Sequence, residues 1–176
     1  VQPALTPARN GGAARVLDRL GVTIVAASEA GCCGAVSFHL DAHDEARDFM
    51  RRNIDAWWPH VERGAEALVT TASGCGVMVK DYGYQLARDP KYAEKAKRVS
   101  ELVRDIGEVL LAEKTKLQSL APPASRRPRR IAFHAPCTLQ HGLKLQGTIE
   151  ALLTSLGFVL VPVAAEVLAS AAAELG

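Results

Sequence analysis

Glu29-Ala30-Gly31-Cys32-Cys33-Gly34-Ala35-Val36-Ser37 sets two adjacent cysteines between two glycines. The apolar run Val22-Thr23-Ile24-Val25-Ala26-Ala27 stands directly before it. Continuous hydrophobicity and β-branched residues predict a buried strand over 22–27. Neighbouring side chains on a strand point to opposite faces, so only a bent backbone lets Cys32 and Cys33 serve one object. Gly31 and Gly34 are expected to supply that bend through positive φ, which glycine alone adopts without strain. Cys75, in Ala72-Ser73-Gly74-Cys75-Gly76, and Cys137, in His134-Ala135-Pro136-Cys137, each follow another predicted strand. Three strand-end loops thus carry all four thiols and suggest one site.

Outward from that loop, strands alternate with helices. Helices are expected over Pro7–Leu20 (Thr6 as N-cap, Gly21 as stop), Asp44–Arg63, Ser73 to Leu86, Lys91–Lys114, Leu139–Leu156 and Ala164–Leu175. Further strands are expected over Ala67–Thr71, Arg130–Phe133 and Phe158–Val163. This order predicts an α/β fold, a parallel sheet flanked by helices. Leu20-Gly21-Val22 and Leu156-Gly157-Phe158 hint at two pseudo-repeated cysteine-rich halves. The expected divisions are a first repeat over 1–114, a Pro-, Ser- and Arg-rich linker over 115–130, and an incomplete second repeat over 131–176. Trp57 and Trp58 lie on the apolar stripe of the Asp44–Arg63 helix and read as core or subunit contact.

The 176 residues are 48% apolar but only 5% aromatic, so the core is mainly aliphatic. A net charge of +2 argues against nucleic acid as a partner. The run Arg126-Arg127-Pro128-Arg129-Arg130 reads as a solvated linker. No stretch reaches the about eighteen continuous apolar residues of a membrane span, so no transmembrane segment is expected. Four loop cysteines suit a reducing compartment, and cytoplasm is the expected location.

Thiolates bind soft metals, which leaves iron–sulfur and zinc. Structural zinc sites use closely spaced C-x₂₋₄-C pairs, whereas the gaps here are zero, 41 and 61 residues. Adjacent cysteines chelate one tetrahedral ion poorly but can serve different irons of a cluster. Cys75 begins a helix, whose N-terminal field favours its thiolate. His134 and His141 flank Cys137 and are placed to tune a sulfur or carry protons. His39 and His43 follow the paired cysteines and are weaker candidates for the same task, while His60 reads as structural. No Ser-His-Asp pattern, nucleotide loop or paired-carboxylate motif is visible.

Cys32-Cys33-Gly34, Ser73-Gly74-Cys75 and His134-Ala135-Pro136-Cys137-Thr138-Leu139-Gln140-His141 resemble the cysteine-rich, or CCG, domain family. That family includes heterodisulfide reductase catalytic subunits and the iron–sulfur subunits of lactate- and glycolate-oxidising systems. The opening Val1-Gln2-Pro3-Ala4-Leu5-Thr6-Pro7 and the string Thr138–His141 are most similar to the glycolate branch. The resemblance runs from Val1 to about Val163. It implies an electron-transfer subunit that takes electrons from flavin-containing oxidase subunits, as glycolate becomes glyoxylate, and passes them toward a quinone-type acceptor. It also implies a cytoplasmic or inner-membrane-face location, and a cluster of the 4Fe–4S type with Cys32, Cys33, Cys75 and Cys137 as candidate ligands and His134 and His141 behind them.

The family pattern has a further cysteine upstream of the pair, a ferredoxin-like part and a second Cys-Cys-Gly, so the intact subunit is expected to extend beyond these residues. Cys75 is followed by Gly76-Val77 rather than another cysteine, which departs from the five-cysteine cluster of the reductases. Two other readings stay open. One is a thiol–disulfide or heterodisulfide reductase subunit, or a lactate-oxidation iron–sulfur subunit. The other is a metal-free assembly module that docks a flavin subunit through Trp57-Trp58.

Overall fold

Why the chain bends where it does is clearest at its helix boundaries, in a computed structural model that describes residues 7–120 and 129–162. The readings made for Thr6, for Arg126–Pro128 and for Val163–Leu175 lie outside the described residues. The chain divides into two units, 1–110 and 111–176.

In the first unit, α1 (Pro7–Arg19) carries Pro7 at its first position, where the missing N–H costs nothing. Its Leu17 is buried, as is Leu20 just beyond its end. After the cysteine loop come the short α2 (Ala35–His39) and the 20-residue α3 (His43–Glu62). The inward stripe of α3 is Ala46, Met50, Asn53 and Ile54, all fully buried. Strand β1 (Leu68–Thr70) leads into α4 (Ser73–Lys80) and α5 (Tyr82–Gln85), then α6 (Ala93–Leu102), β2 (Val103–Asp105) and α7 (Ile106–Ala112). β1 and β2 pair in parallel with Leu68 opposite Val103 and Thr70 opposite Asp105. The core gathers Met50, Ile54, Tyr82, Leu86, Ala96, Val99 and Val103. Trp57 packs against it, its ring stacked 6.3 Å from that of Tyr82, which is the core role expected of it. Trp58 lies half-buried beneath the Lys95 ammonium, 5.0 Å from the ring centre.

Two expectations fail here, each for a local reason. Residues 22–27 form no strand, and Ile24 and Val25 are 48% and 65% exposed. Strand composition describes a residue suited to a pleated, half-buried surface, and among the described residues no strand pairs with this run. The long helix expected over Lys91–Lys114 is broken by β2. Asp105 Oδ1 accepts from the Gly107 N–H at 2.8 Å, while the Asp105 N–H donates to Glu108 Oε2 at 2.8 Å. This reciprocal cap ends the strand and starts a new helix, and it leaves Val103 fully buried beside β1.

In the second unit, α8 (Lys114–Leu120) occupies the start of the stretch read as linker. β3 (Arg130–Ala132) pairs in parallel with β4 (Val159–Val161), with Ile131 opposite Leu160. Arg129 sets its guanidinium over the Phe158 ring, 5.8 Å from the centre. The single helix expected over Leu139–Leu156 is instead a π-helical turn (Thr138–Gly142) followed by α9 (Thr148–Ser155). Lys144 and Gly147 between them adopt φ of 59° and 74°, left-handed values that no helix continues through. The architecture is α/β, with small parallel sheets flanked by helices.

Candidate functional site

The bend at the paired cysteines is made by one glycine, not two. Gly34 has φ of 87° and caps α2, and a Cβ there would stand 2.9 Å from the Ala46 carbonyl oxygen. Gly31 lies outside the left-handed region. Its missing side chain instead leaves room for the Arg52 guanidinium, which a Cβ would strike.

Beneath the loop lies a buried polar group that sequence reading missed. The Asn53 carboxamide oxygen accepts from the Gly31 N–H at 2.8 Å. Its nitrogen donates to the Cys32 carbonyl at 2.7 Å and to the Tyr82 hydroxyl oxygen at 3.1 Å. Tyr82 in turn donates to the Cys33 carbonyl at 2.9 Å. Both residues are fully buried. Burial holds the Tyr82 phenol well above the ordinary range for tyrosine, an effect that the neighbouring Cys33, Cys32 and Cys75 add to and the Asn53 hydrogen bond opposes. The available signal was a polar residue on an otherwise apolar stripe, Asn53 between Met50 and Trp57.

Cys75, in the first turn of α4, comes to the same place. The Cys33 thiol donates to its sulfur, and this lowers Cys75 from the ordinary thiol value of 9.0 to about 7. Partial burial and the nearby Cys32 oppose that shift. The neighbouring thiol is the leading cause, and Cys75 also lies in the first turn of a helix, as expected. Cys33 moves in the other direction, raised by the proton it shares with Cys75 and by its own burial. Cys32 and Cys75 are exposed and Cys33 is buried. Of the four expected cysteines, Cys32, Cys33 and Cys75 thus belong to the first unit, where Cys33 and Cys75 adjoin.

Cys137 belongs to the second unit, exposed after β3 at the entry to the π-helical turn. His134 and His141 are exposed on the same segment. The loop is held from within by Gln140, whose side-chain nitrogen donates to the Ala135 carbonyl at 2.5 Å, and by the buried Leu139. His43 is engaged elsewhere, with Nε2 2.9 Å from Asp41 Oδ1 and its ring edge-on to Phe38 at 4.7 Å. His60 pairs with the Arg63 guanidinium at 3.0 Å, the structural role read for it.

Among the described residues, no three cysteine, histidine, aspartate or glutamate side chains are arranged to hold a single metal ion. A 4Fe–4S cluster imposes a different demand, since its four thiolates each take their own iron. In the first unit Cys33 and Cys75 adjoin, with Cys32 next to Cys33 in the chain.

Residues 1–80 match the cysteine-rich domain family, CCG. The chain is 52% identical, over 92% of its length, to 39% of the glycolate oxidase iron–sulfur subunit of Escherichia coli. It is 26% identical, over 75% of its length, to 28% of the probable glycolate oxidase iron–sulfur subunit of Bacillus subtilis. A lactate utilization protein A from Anoxybacillus flavithermus is 30% identical over 82% of the chain and 56% of that protein. The chain therefore spans about two-fifths of the length of its E. coli relative. No solved structure matches significantly. Among the described residues, no helix is long and apolar enough to cross a membrane.

Proposed function

We propose that this chain is the cysteine-rich part of an electron-transfer iron–sulfur subunit of a glycolate-oxidising complex. Cys32, Cys33 and Cys75 are its thiolate ligands, and Cys137 is a further candidate. What supports the site is the approach of the Cys33 thiol, on the Gly31–Gly34 loop, to Cys75 in the first turn of α4, two segments distant in sequence, with Cys32 beside Cys33 in the chain. The similarity to the E. coli subunit carries the choice of glycolate over lactate.

Oxidation of glycolate to glyoxylate releases two electrons and two protons. Flavin-containing subunits would take the pair, and a cluster of the 4Fe–4S type supplies one-electron carriage toward a quinone-type acceptor. The chain's own residues hold the thiolates, bury one side of the site beneath Tyr82, and keep Cys32 and Cys75 open to solvent. His134 and His141, which flank Cys137 in the sequence, are the candidates to donate hydrogen bonds to a sulfur there. The reading implies a reducing compartment, the cytoplasm or its membrane face.

Iron and acid-labile sulfide, with EPR, on anaerobically purified intact protein test this reading. Cys33→Ser should remove one cluster's worth of iron and leave the fold. Full iron in that variant would exclude Cys33 as a ligand and overturn the site.

The Cys33–Cys75 proton sharing also favours a second reading, a thiol–disulfide reductase subunit in which Cys75 is the nucleophile. Absence of iron, together with a reversible intramolecular disulfide between these two residues, would select it.

A further inference from the structure

Asn53 and Tyr82 form a closed set of hydrogen bonds whose only outlet among the described residues is the cysteine loop. An asparagine amide offers one accepting oxygen and two N–H donors, and a phenol one donor and an accepting oxygen. Here the oxygen of Asn53 meets an N–H, its nitrogen meets a carbonyl and a hydroxyl oxygen, and the hydroxyl's own proton meets a second carbonyl. Only one orientation of the amide satisfies this set.

The two carbonyls belong to Cys32 and Cys33, consecutive residues. On an extended strand, successive carbonyls point to opposite sides. Both of these turn to the same buried pair, so the backbone is wound at this point. A purely structural asparagine in a helix stripe would find partners along its own helix or in the core. Asn53, on α3, reaches 21 and 22 residues back along the chain, to the loop alone and to Tyr82.

We propose that Asn53 and Tyr82 are positioning residues that fix the direction of the Cys32 and Cys33 thiols before any metal arrives. The purpose, a pre-formed ligand set, rests on the iron–sulfur reading above, whereas the anchoring itself does not. A site whose supporting residues are locked by packing and hydrogen bonds pays less ordering cost on binding. Tyr82→Phe keeps the ring stacked on Trp57 and removes only the hydroxyl. Asn53→Asp keeps the shape and the acceptor for Gly31 but removes both donors.

The test is native-state alkylation of the reduced, metal-free chain with iodoacetamide, read for each cysteine by fragment mass spectrometry. Cys137 serves as the internal reference. In Tyr82→Phe, Cys33 should react about tenfold faster relative to Cys137, the factor that one lost hydrogen bond to a buried carbonyl provides. In Asn53→Asp, Cys32 should accelerate as well. In the unaltered chain the Gly31 amide should be protected from hydrogen exchange. Unchanged relative rates in Tyr82→Phe would overturn the proposal. So would an equal rise at all four cysteines, which marks general loosening or unfolding, or a freely exchanging Gly31 amide. The iron assay on Cys33→Ser is independent of these rates, so an iron-free protein with the expected alkylation pattern would sink the cluster reading and leave the positioning role standing.

Discussion

The two cysteine-bearing segments of this chain are built on opposite plans. In the first unit the Gly31–Cys33 backbone is tied down by a buried amide and a buried phenol, and its Cys33 approaches Cys75 in the first turn of α4. In the second unit the Ala135–Cys137 segment is closed mainly on itself, by Gln140 and the backbone of its π-helical turn, with Cys137, His134 and His141 exposed. The first pre-forms its geometry at the cost of burying polar groups that must all be satisfied. The second leaves its polar groups to solvent and depends little on any one contact.

Removing the central contact of each segment should widen that difference. Asn53→Leu leaves the Gly31 N–H and the Cys32 carbonyl without partners in a buried place, and Tyr82 short of one donor. A loss of about 3 kcal/mol or more is expected, since each orphaned buried group costs about 1–3 kcal/mol. Gln140→Leu removes one half-buried bond and should cost about 1 kcal/mol or less. Both tryptophans, Trp57 and Trp58, lie in the first unit, so tryptophan fluorescence during urea unfolding reports that unit. Its midpoint should fall sharply in Asn53→Leu and stay in place for Gln140→Leu. Equal shifts would erase the contrast.

Within the first segment the two glycines make a smaller contrast of the same kind. Gly34→Ala forces a left-handed residue against the Ala46 backbone, which cannot step aside. The strain of a non-glycine residue at that φ is about 1–3 kcal/mol. Gly31→Ala meets only the guanidinium of Arg52, the far end of a flexible side chain resting 5.0 Å over the Phe49 ring. Losing that contact costs about 0.5–1 kcal/mol, and a less mobile unfolded chain offsets a similar amount. Urea midpoints for the pair should therefore separate clearly, with Gly31→Ala near the unaltered chain.

Much of this was legible in the sequence, and the remainder was hidden for identifiable reasons. The strands at Leu68–Thr70, Arg130–Ala132 and Val159–Val161 declared themselves as short apolar runs after helix stops. The approach of Cys33 to Cys75 was only half legible, because Cys75 does follow a strand, β1, whereas no strand precedes the paired cysteines. The run Val22–Ala27 misled because its composition is that of a strand while pairing depends on a neighbour. The Lys91–Lys114 reading followed the helical spacing of Val99, Leu102, Ile106 and Leu110 and overlooked Asp105-Ile106-Gly107-Glu108, a capping signature in plain view. Asn53 and Tyr82 were hidden more deeply. Nothing local distinguishes an anchoring asparagine from a tolerated one, because its partners lie on a loop and another helix.

The finest contrast lies between two thiols of one site. The Cys33 thiol donates a hydrogen bond to the sulfur of Cys75, so the pair should titrate as a unit, with Cys75 losing its proton first, near pH 7, and Cys33 held as a thiol far above that. The alkylation rate of Cys75 in the metal-free chain should therefore rise with pH through a midpoint near 7, because the thiolate is the nucleophile. Cys33 should stay slow across the same interval. Cys33→Ala removes the donor that contributes most to the lowering, and the Cys75 midpoint should then climb toward the ordinary thiol value of 9.0. A midpoint that stayed near 7 would transfer the effect to the first turn of α4, and would mean that the two sulfurs share a place without sharing a proton.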